Sequence, residues 1–178
     1  VGIGHNVMKT VTSGDYNVAI GHGAMDALTT GQYNVAIGGD SPLGALDAGL
    51  RNIAIGNNAV LQPDGENDNI GIGSDTLAGA INGGEKNIAI GTSAGIVHTT
   101  GDNCVFLGFE AGHDNTTGEN NVYLGTYAGD RGIGGSNNVC IGHEADLTAN
   151  DISHAITIGY NLQSSSNKFS FGKSGDVV

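Results

Sequence analysis

The stretch NVAIGHGAMDALTTGQYNVAIG, residues 17–38, contains the five residues Asn-Val-Ala-Ile-Gly twice, 17 residues apart. An aliphatic residue followed by Gly recurs in the same way along most of the chain, and we take that aliphatic residue as the anchor of one repeat. The anchors are Ile3, Ile20, Ile37, Ile55, Ile72, Ile90, Leu107, Leu124, Ile141 and Ile158. Successive anchors are 17 or 18 residues apart, which indicates one structural unit repeated ten times.

Each repeat contains the pattern of a short β-strand. A second aliphatic residue stands two positions before the anchor, as Val18 does before Ile20, and a period of two is typical of a strand with one buried face. A turn rich in Gly, Asp, Asn and Thr follows. Units of this length that resemble their neighbours predict a solenoid, in which each rung buries its apolar face by stacking on the next.

The predicted fold is therefore all-β, a parallel β-solenoid or β-roll with rungs of about 17 residues. Ten rungs occupy residues 1–160, and at about 4.8 Å per stacked strand they make a rod about 50 Å long. Residues 161–178 depart from the repeat, because Phe171 follows the anchor Ile158 by only 13 residues. A helix of hexapeptides would need aliphatic residues six and twelve positions after Ile20, where Asp26 and Gln32 stand.

Asparagine recurs three positions before the anchor. The positions are Asn17, Asn34, Asn52, Asn69, Asn87, Asn121 and Asn138. In stacked rungs these amides would lie above one another, and we expect a structural ladder in which the amides hydrogen-bond to each other. The alternative is that Asn stands there only because it favours turns.

The residue between the two aliphatic positions suggests an assembly of several chains. It is Ala or Gly in the first half of the chain, as at Ala19, Ala36 and Ala54. Alanine forms strands poorly, so we expect this face to lie against another chain and the aliphatic pair to face the interior. Two aliphatic residues and one small residue per rung are few for a closed coil, and the sequence predicts an intimate homotrimer.

Composition and charge exclude several classes of protein. The chain of 178 residues has 32 Gly, 2 Pro and no Trp, which argues against helices, and its formal net charge of −12 argues against binding to nucleic acid. No apolar run approaches the ~20 residues of a membrane-spanning helix, so no membrane insertion is expected. Cys104 and Cys140 are 36 residues apart and predict free thiols.

The strand motif resembles a known group of fibrous proteins. Asn-Val-Ala-Ile-Gly is similar to the head repeats of trimeric autotransporter adhesins, which form a trimeric left-handed β-roll from shorter repeats. The longer unit in AGHDNTTGENNVYLGTYAG, residues 111–129, resembles repeats of phage tail fibres and related viral adhesins. The tail SSSNKFSFGKSGDVV resembles the segment before the self-cleaving intramolecular chaperone of such fibres, which would follow the present sequence.

Aromatic residues interrupt the repeat in rungs seven and eight. Phe106 and Tyr123 replace the small residue, and Phe109 and Tyr127 follow closely. These rings either fill a widened trimer or form an exposed patch, and all four are our candidates for contact with a receptor.

No other pattern predicts chemistry. His5 and His22 share one position in adjacent rungs and predict a polar stack, without a metal. The acidic run from Asp64 to Asn69 lacks the Gly that a calcium loop needs at its sixth position. No nucleophile or phosphate-loop motif occurs, so we expect no catalytic residues, no cofactor and no enzyme activity.

The resemblance and the repeat together predict a structural and adhesive segment of a phage tail fibre. Such a segment would present surfaces that bind a host-cell receptor, either a glycan or an outer-membrane protein, and would lie on the extracellular virion. Two alternatives are the head of a bacterial trimeric autotransporter adhesin on the cell surface and, less favoured, a tailspike that depolymerises glycans.

Overall fold

The computed structural model describes residues 1–44, 48–60, 65–79 and 83–174, and none of these residues lies in a helix. The described chain forms strands of two to five residues. They are β1 (Gly2–Ile3), β2 (Val18–Ile20), β3 (Val35–Ile37), β4 (Ile53–Ile55), β5 (Ile70–Ile72), β6 (Ile88–Ile90), β7 (Val105–Leu107), β8 (Val122–Leu124), β9 (Val139–Ile141), β10 (Asp146–Leu147), β11 (Ile156–Tyr160), β12 (Gln163–Ser164) and β13 (Phe169–Lys173).

The strands stack in the order of the sequence. Eleven of them form one parallel sheet, β1 to β9 followed by β11 and β13, and β10 pairs with β12 in a second, two-stranded sheet. Residues at the same position of the repeat pair directly, as Ile20 does with Ile37 and Ile37 with Ile55. The prediction of a parallel β-solenoid with about ten rungs of ~17 residues is confirmed.

The glycine after each anchor is required by the stacking. Gly108 has φ = +140°, and a Cβ there would lie 2.6 Å from the carbonyl carbon of Gly125 in the next rung. A side chain at this position would therefore both strain the backbone and push two rungs apart. The glycine ends each three-residue strand and turns the chain toward the second segment of the rung.

The two faces of the strands are the reverse of the expected arrangement. Ala19, Ala36 and Ala54 are fully buried in the coil of their own chain, whereas the aliphatic residues beside them are half-buried or exposed. The alanine face packs against apolar residues from the second segment of each rung, among them Met25 and Leu28. The expectation that alanine faces another chain was therefore wrong, because these second-segment side chains fill the coil from the opposite side.

Two interior positions of the rung, one in the strand and one in the second segment, exchange large and small residues along the stack. In the first half of the stack the small strand residue is matched by a large side chain five positions after the anchor, such as Met25, Val60 or Leu77. In rungs seven and eight the matching positions are Gly112 and Gly129, and the rings of Phe106 and Tyr123 occupy the space. The interior is therefore filled by side chains of the second segment in the first half of the stack and by side chains of the strand in rungs seven and eight.

The asparagines form a ladder of a different kind from the expected one. The Oδ1 of Asn121 accepts a hydrogen bond from the main-chain N–H of Asn138, 2.9 Å away, and its Nδ2 donates to the carbonyl of Gly135 at 2.7 Å. Six further amides make the same two bonds: the Oδ1 accepts from a main-chain N–H of the next rung, and the Nδ2 donates to a carbonyl of the amide's own rung. They are Asn17, Asn34, Asn52, Asn69, Asn87 and Asn138. Each buried amide therefore closes its own coil and ties the next rung's main chain to it.

The C-terminal segment continues the stack although its spacing is shorter. β13 pairs in parallel with β11, so that Ile156 lies beside Phe169 and Ile158 beside Phe171. The sheet therefore extends past residue 160, to Lys173. In the part of the chain that the structure describes, no helix is long and apolar enough to cross a membrane.

Candidate functional site

An apolar stripe covers the outer face of the long sheet. It consists of the paired aliphatic residues of each rung and ends in Phe169 and Phe171, which are both 65% exposed. Leu107 and Leu124 remain 38% and 39% exposed although strands pair with them on both sides. With eleven strands at about 4.8 Å each, the stripe is about 50 Å long, and a contiguous apolar surface of this size marks an interaction site.

The four candidate receptor residues fall into two groups. Phe106 and Tyr123 are fully buried, and their rings lie 5.6 Å apart inside the coil. They cannot contact a receptor, so this part of the prediction was wrong and they have a packing role. Phe109 is 43% exposed and Tyr127 is half-buried, with the two rings in edge contact at 5.4 Å on the surface.

Phe109 and Tyr127 begin a column of surface rings that the repeat pattern did not reveal. The ring of Tyr127 lies 6.3 Å from His143 in edge geometry, and His143 stacks on Tyr160 at 5.5 Å with an interplanar angle of 19°. Tyr160 is 57% exposed. We call these four residues the aromatic column; it runs along the rod over four successive rungs.

A polar cleft adjoins the aromatic column. It has a volume of about 270 Å³. It is lined by Tyr127, Asp130, Arg131, Glu144, Asp146, Asn161 and Gln163. The lining residues come from the turn and second segment of three consecutive rungs, beyond the strands that carry the apolar stripe.

Arg131 is held in place by Asp146. The Oδ1 of Asp146 accepts a hydrogen bond from the main-chain N–H of Arg131 at 3.2 Å, and its Oδ2 lies 3.6 Å from Arg131 Nε. Burial raises the pKa of Asp146, and burial together with the nearby carboxylate of Asp114 raises the pKa of Asp130. Three carboxylates against one guanidinium make the cleft negative when all of them are ionised.

One group of possible metal ligands occurs among the described residues. His113, Asp114 and Asp130 offer ligand atoms within 4.8 Å of one another. The Nδ1 of His113 lies 2.7 Å from Oδ1 of Asp114. The repeat pattern gave no signal for this group, because its members do not recur from rung to rung.

The other histidine and acidic candidates have ordinary partners. His5 and His22 stack with ring centroids 5.3 Å apart, as a polar stack requires. Asp68 from the acidic run forms a two-point ion pair with Arg51, and this hydrogen bond lowers the pKa of Asp68. Asp64 lies outside the described residues.

We expect both cysteine thiols to be unreactive in the folded protein. Burial raises the pKa of Cys104 and of Cys140 to about 12, so almost no thiolate is present near pH 8. A chromogenic disulfide reagent should label neither thiol in buffer and both in concentrated denaturant. Labelling of the native protein at the rate of a free thiol would contradict this burial.

No protein-family model, curated protein or solved structure matches the chain. The class of protein is therefore defined by the fold itself, a parallel β-solenoid repeat protein. Its candidate functional surfaces are the apolar stripe, the aromatic column and the polar cleft.

Proposed function

We propose that the chain is a structural and adhesive segment of a trimeric phage tail fibre, a rigid rod of the extracellular virion that presents host-binding surfaces. The observation that carries this proposal is the apolar stripe. Side chains such as Ile72, Leu107 and Leu124 remain more than a third exposed in the single chain, and a soluble rod gains stability by covering them.

The partner that fits the stripe best is the same chain, in an assembly of three copies. The stripe runs the whole length of the sheet, so a second rod aligned in parallel can cover it rung by rung. Three sheets that face one axis each cover part of the other two. The resemblance of the strand motif to trimeric fibres favours three copies over two.

The role in this proposal is binding, without catalysis and without a cofactor. The negative charge of −12 favours partners other than nucleic acid or anionic membranes. The aromatic column and the polar cleft are formed by residues that follow the anchors of rungs seven to ten. In this proposal they are the surfaces that an assembly through the stripe presents to a receptor on the host cell.

The oligomeric state tests the proposal. We expect light scattering to give a mass near three times 17.9 kDa. Ile90→Asp should produce folded monomers, because it places a charge in each chain on the outer face and leaves the coil interior unchanged. Thr92→Asp, an exposed position of the same rung, is the matched control and should remain trimeric.

Two results would overturn the proposal. One is a parent protein that is a stable monomer at micromolar concentration. The other is a parent trimer that attaches to none of a broad panel of bacterial strains when labelled with a fluorophore. Circular dichroism of each variant, with the β-spectrum of the parent, shows that a change in mass is not caused by unfolding.

A further inference from the structure

We propose that the polar cleft beside Tyr127 binds a neutral oligosaccharide, with the aromatic column as its continuation along the rod. This inference rests on the adhesive role proposed above and names the chemical class of the receptor. It concerns Phe109, Tyr127, His143 and Tyr160 together with the polar side chains of the cleft.

The composition of the cleft matches the two surfaces of a sugar ring. Tyr127 is the aromatic residue that lines the cleft, and an aromatic ring suits the apolar C–H face of a sugar. The other walls carry Asn161 and Gln163, whose amides donate and accept hydrogen bonds, besides carboxylates that accept and a guanidinium that donates. Sugar hydroxyls both donate and accept, so they can bond to all of these groups.

The size and extent of the surface favour a chain of sugars over a single one. A cleft of about 270 Å³ is close to the lower limit for a small-molecule site. The aromatic column extends over four rungs, which is about 14 Å from the first ring to the last at about 4.8 Å per rung. An oligosaccharide seated in the cleft could therefore continue over the neighbouring rings.

Charge decides between neutral and acidic sugars. Asp130, Glu144 and Asp146 outnumber Arg131 in the cleft, and Arg131 is already held by Asp146. The whole chain carries a formal charge of −12. A polyanion such as polysialic acid would be repelled both locally and at a distance. The polar lining likewise disfavours a lipid or the apolar anchor of a protein partner.

The test is binding to a defined panel of sugars. The probes are immobilised hexose and N-acetylhexosamine oligosaccharides without charge, with polysialic acid as the anionic member. We expect the parent protein to bind at least one neutral chain and not polysialic acid. Calorimetry with that chain should then show binding at least tenfold weaker for Tyr127→Ala.

Tyr33→Ala is the matched control. Tyr33 is also a surface tyrosine with positive φ in a ring stack, but it lies near the other end of the rod and outside the cleft. Tyr33→Ala should leave the affinity for the neutral oligosaccharide unchanged. Both variants should keep the parent's melting temperature within a few degrees, which separates loss of the site from loss of the fold.

Three outcomes would overturn the inference: no neutral chain bound by the parent, binding of polysialic acid alone, or equal affinity for Tyr127→Ala and the parent. Attachment to bacterial cells separates this failure from that of the proposed function. If the Tyr127→Ala trimer attaches to cells as well as the parent trimer does, the oligosaccharide site is refuted. The adhesive role is kept, with a receptor bound elsewhere on the rod.

Discussion

Phe106→Ala should lower the free energy of unfolding by about 3–5 kcal/mol, the cost of removing a large ring from a packed interior. Phe106 is fully buried, and its ring centroid lies 5.3 Å from that of His98 and 5.6 Å from that of Tyr123. Gly95 and Gly112 border the ring, and neither has a side chain that could fill the space left by the ring. Urea unfolding at one fixed protein concentration measures the loss.

A second substitution should recover part of the stability that Phe106→Ala loses, because a large residue at position 112 can fill the space of the missing ring. Leu77 occupies in its rung the position that Gly112 occupies in rung seven, with φ of +47° against +63°. Gly112→Leu added to Phe106→Ala should therefore restore at least half of the lost stability. Gly112→Leu alone should destabilise by about 1–3 kcal/mol, because its side chain would collide with the Phe106 ring.

The double-mutant cycle decides whether the two positions share one volume. If the double variant is no more stable than Phe106→Ala, the interior does not exchange volume between the two sides of the coil. That result would remove our explanation for the aromatic residues in rungs seven and eight.

Asn121→Ala should lower the free energy of unfolding by about 3 kcal/mol. The change removes both bonds of the amide and leaves two buried main-chain groups without this partner, the N–H of Asn138 and the carbonyl of Gly135. Each such group costs about 1–3 kcal/mol when it is left unpaired in the interior. The midpoint of urea unfolding measures the effect.

Asn57→Ala is the matched control for this prediction. Asn57 is exposed, and its Nδ2 donates to Asp40 at the surface. Its loss should change stability by less than about 0.5 kcal/mol. Equal effects of the two substitutions would show that the recurrent asparagines act only through their turn preference.

The candidate site was less predictable than the fold. Phe109 and Tyr127 were recognised because they break the repeat, but the sequence pattern could not separate them from Phe106 and Tyr123, which are buried. The polar cleft gave no signal at all. Asp130, Asp146 and Asn161 come from different rungs and do not recur, so only the stacking brings them together.

The sequence by itself determined the period, the position of each strand and the in-register stack, because residues that recur every 17 or 18 positions can pair only with their equivalents. It also located the asparagines, although their amides bond to main chain where we expected amide-to-amide bonds. Only the tertiary structure decided which strand face lies inside. A period of two shows that the faces differ, but the interior belongs to whichever face meets the side chains across the coil, and Met25, Leu28 and Leu77 approach the alanine side.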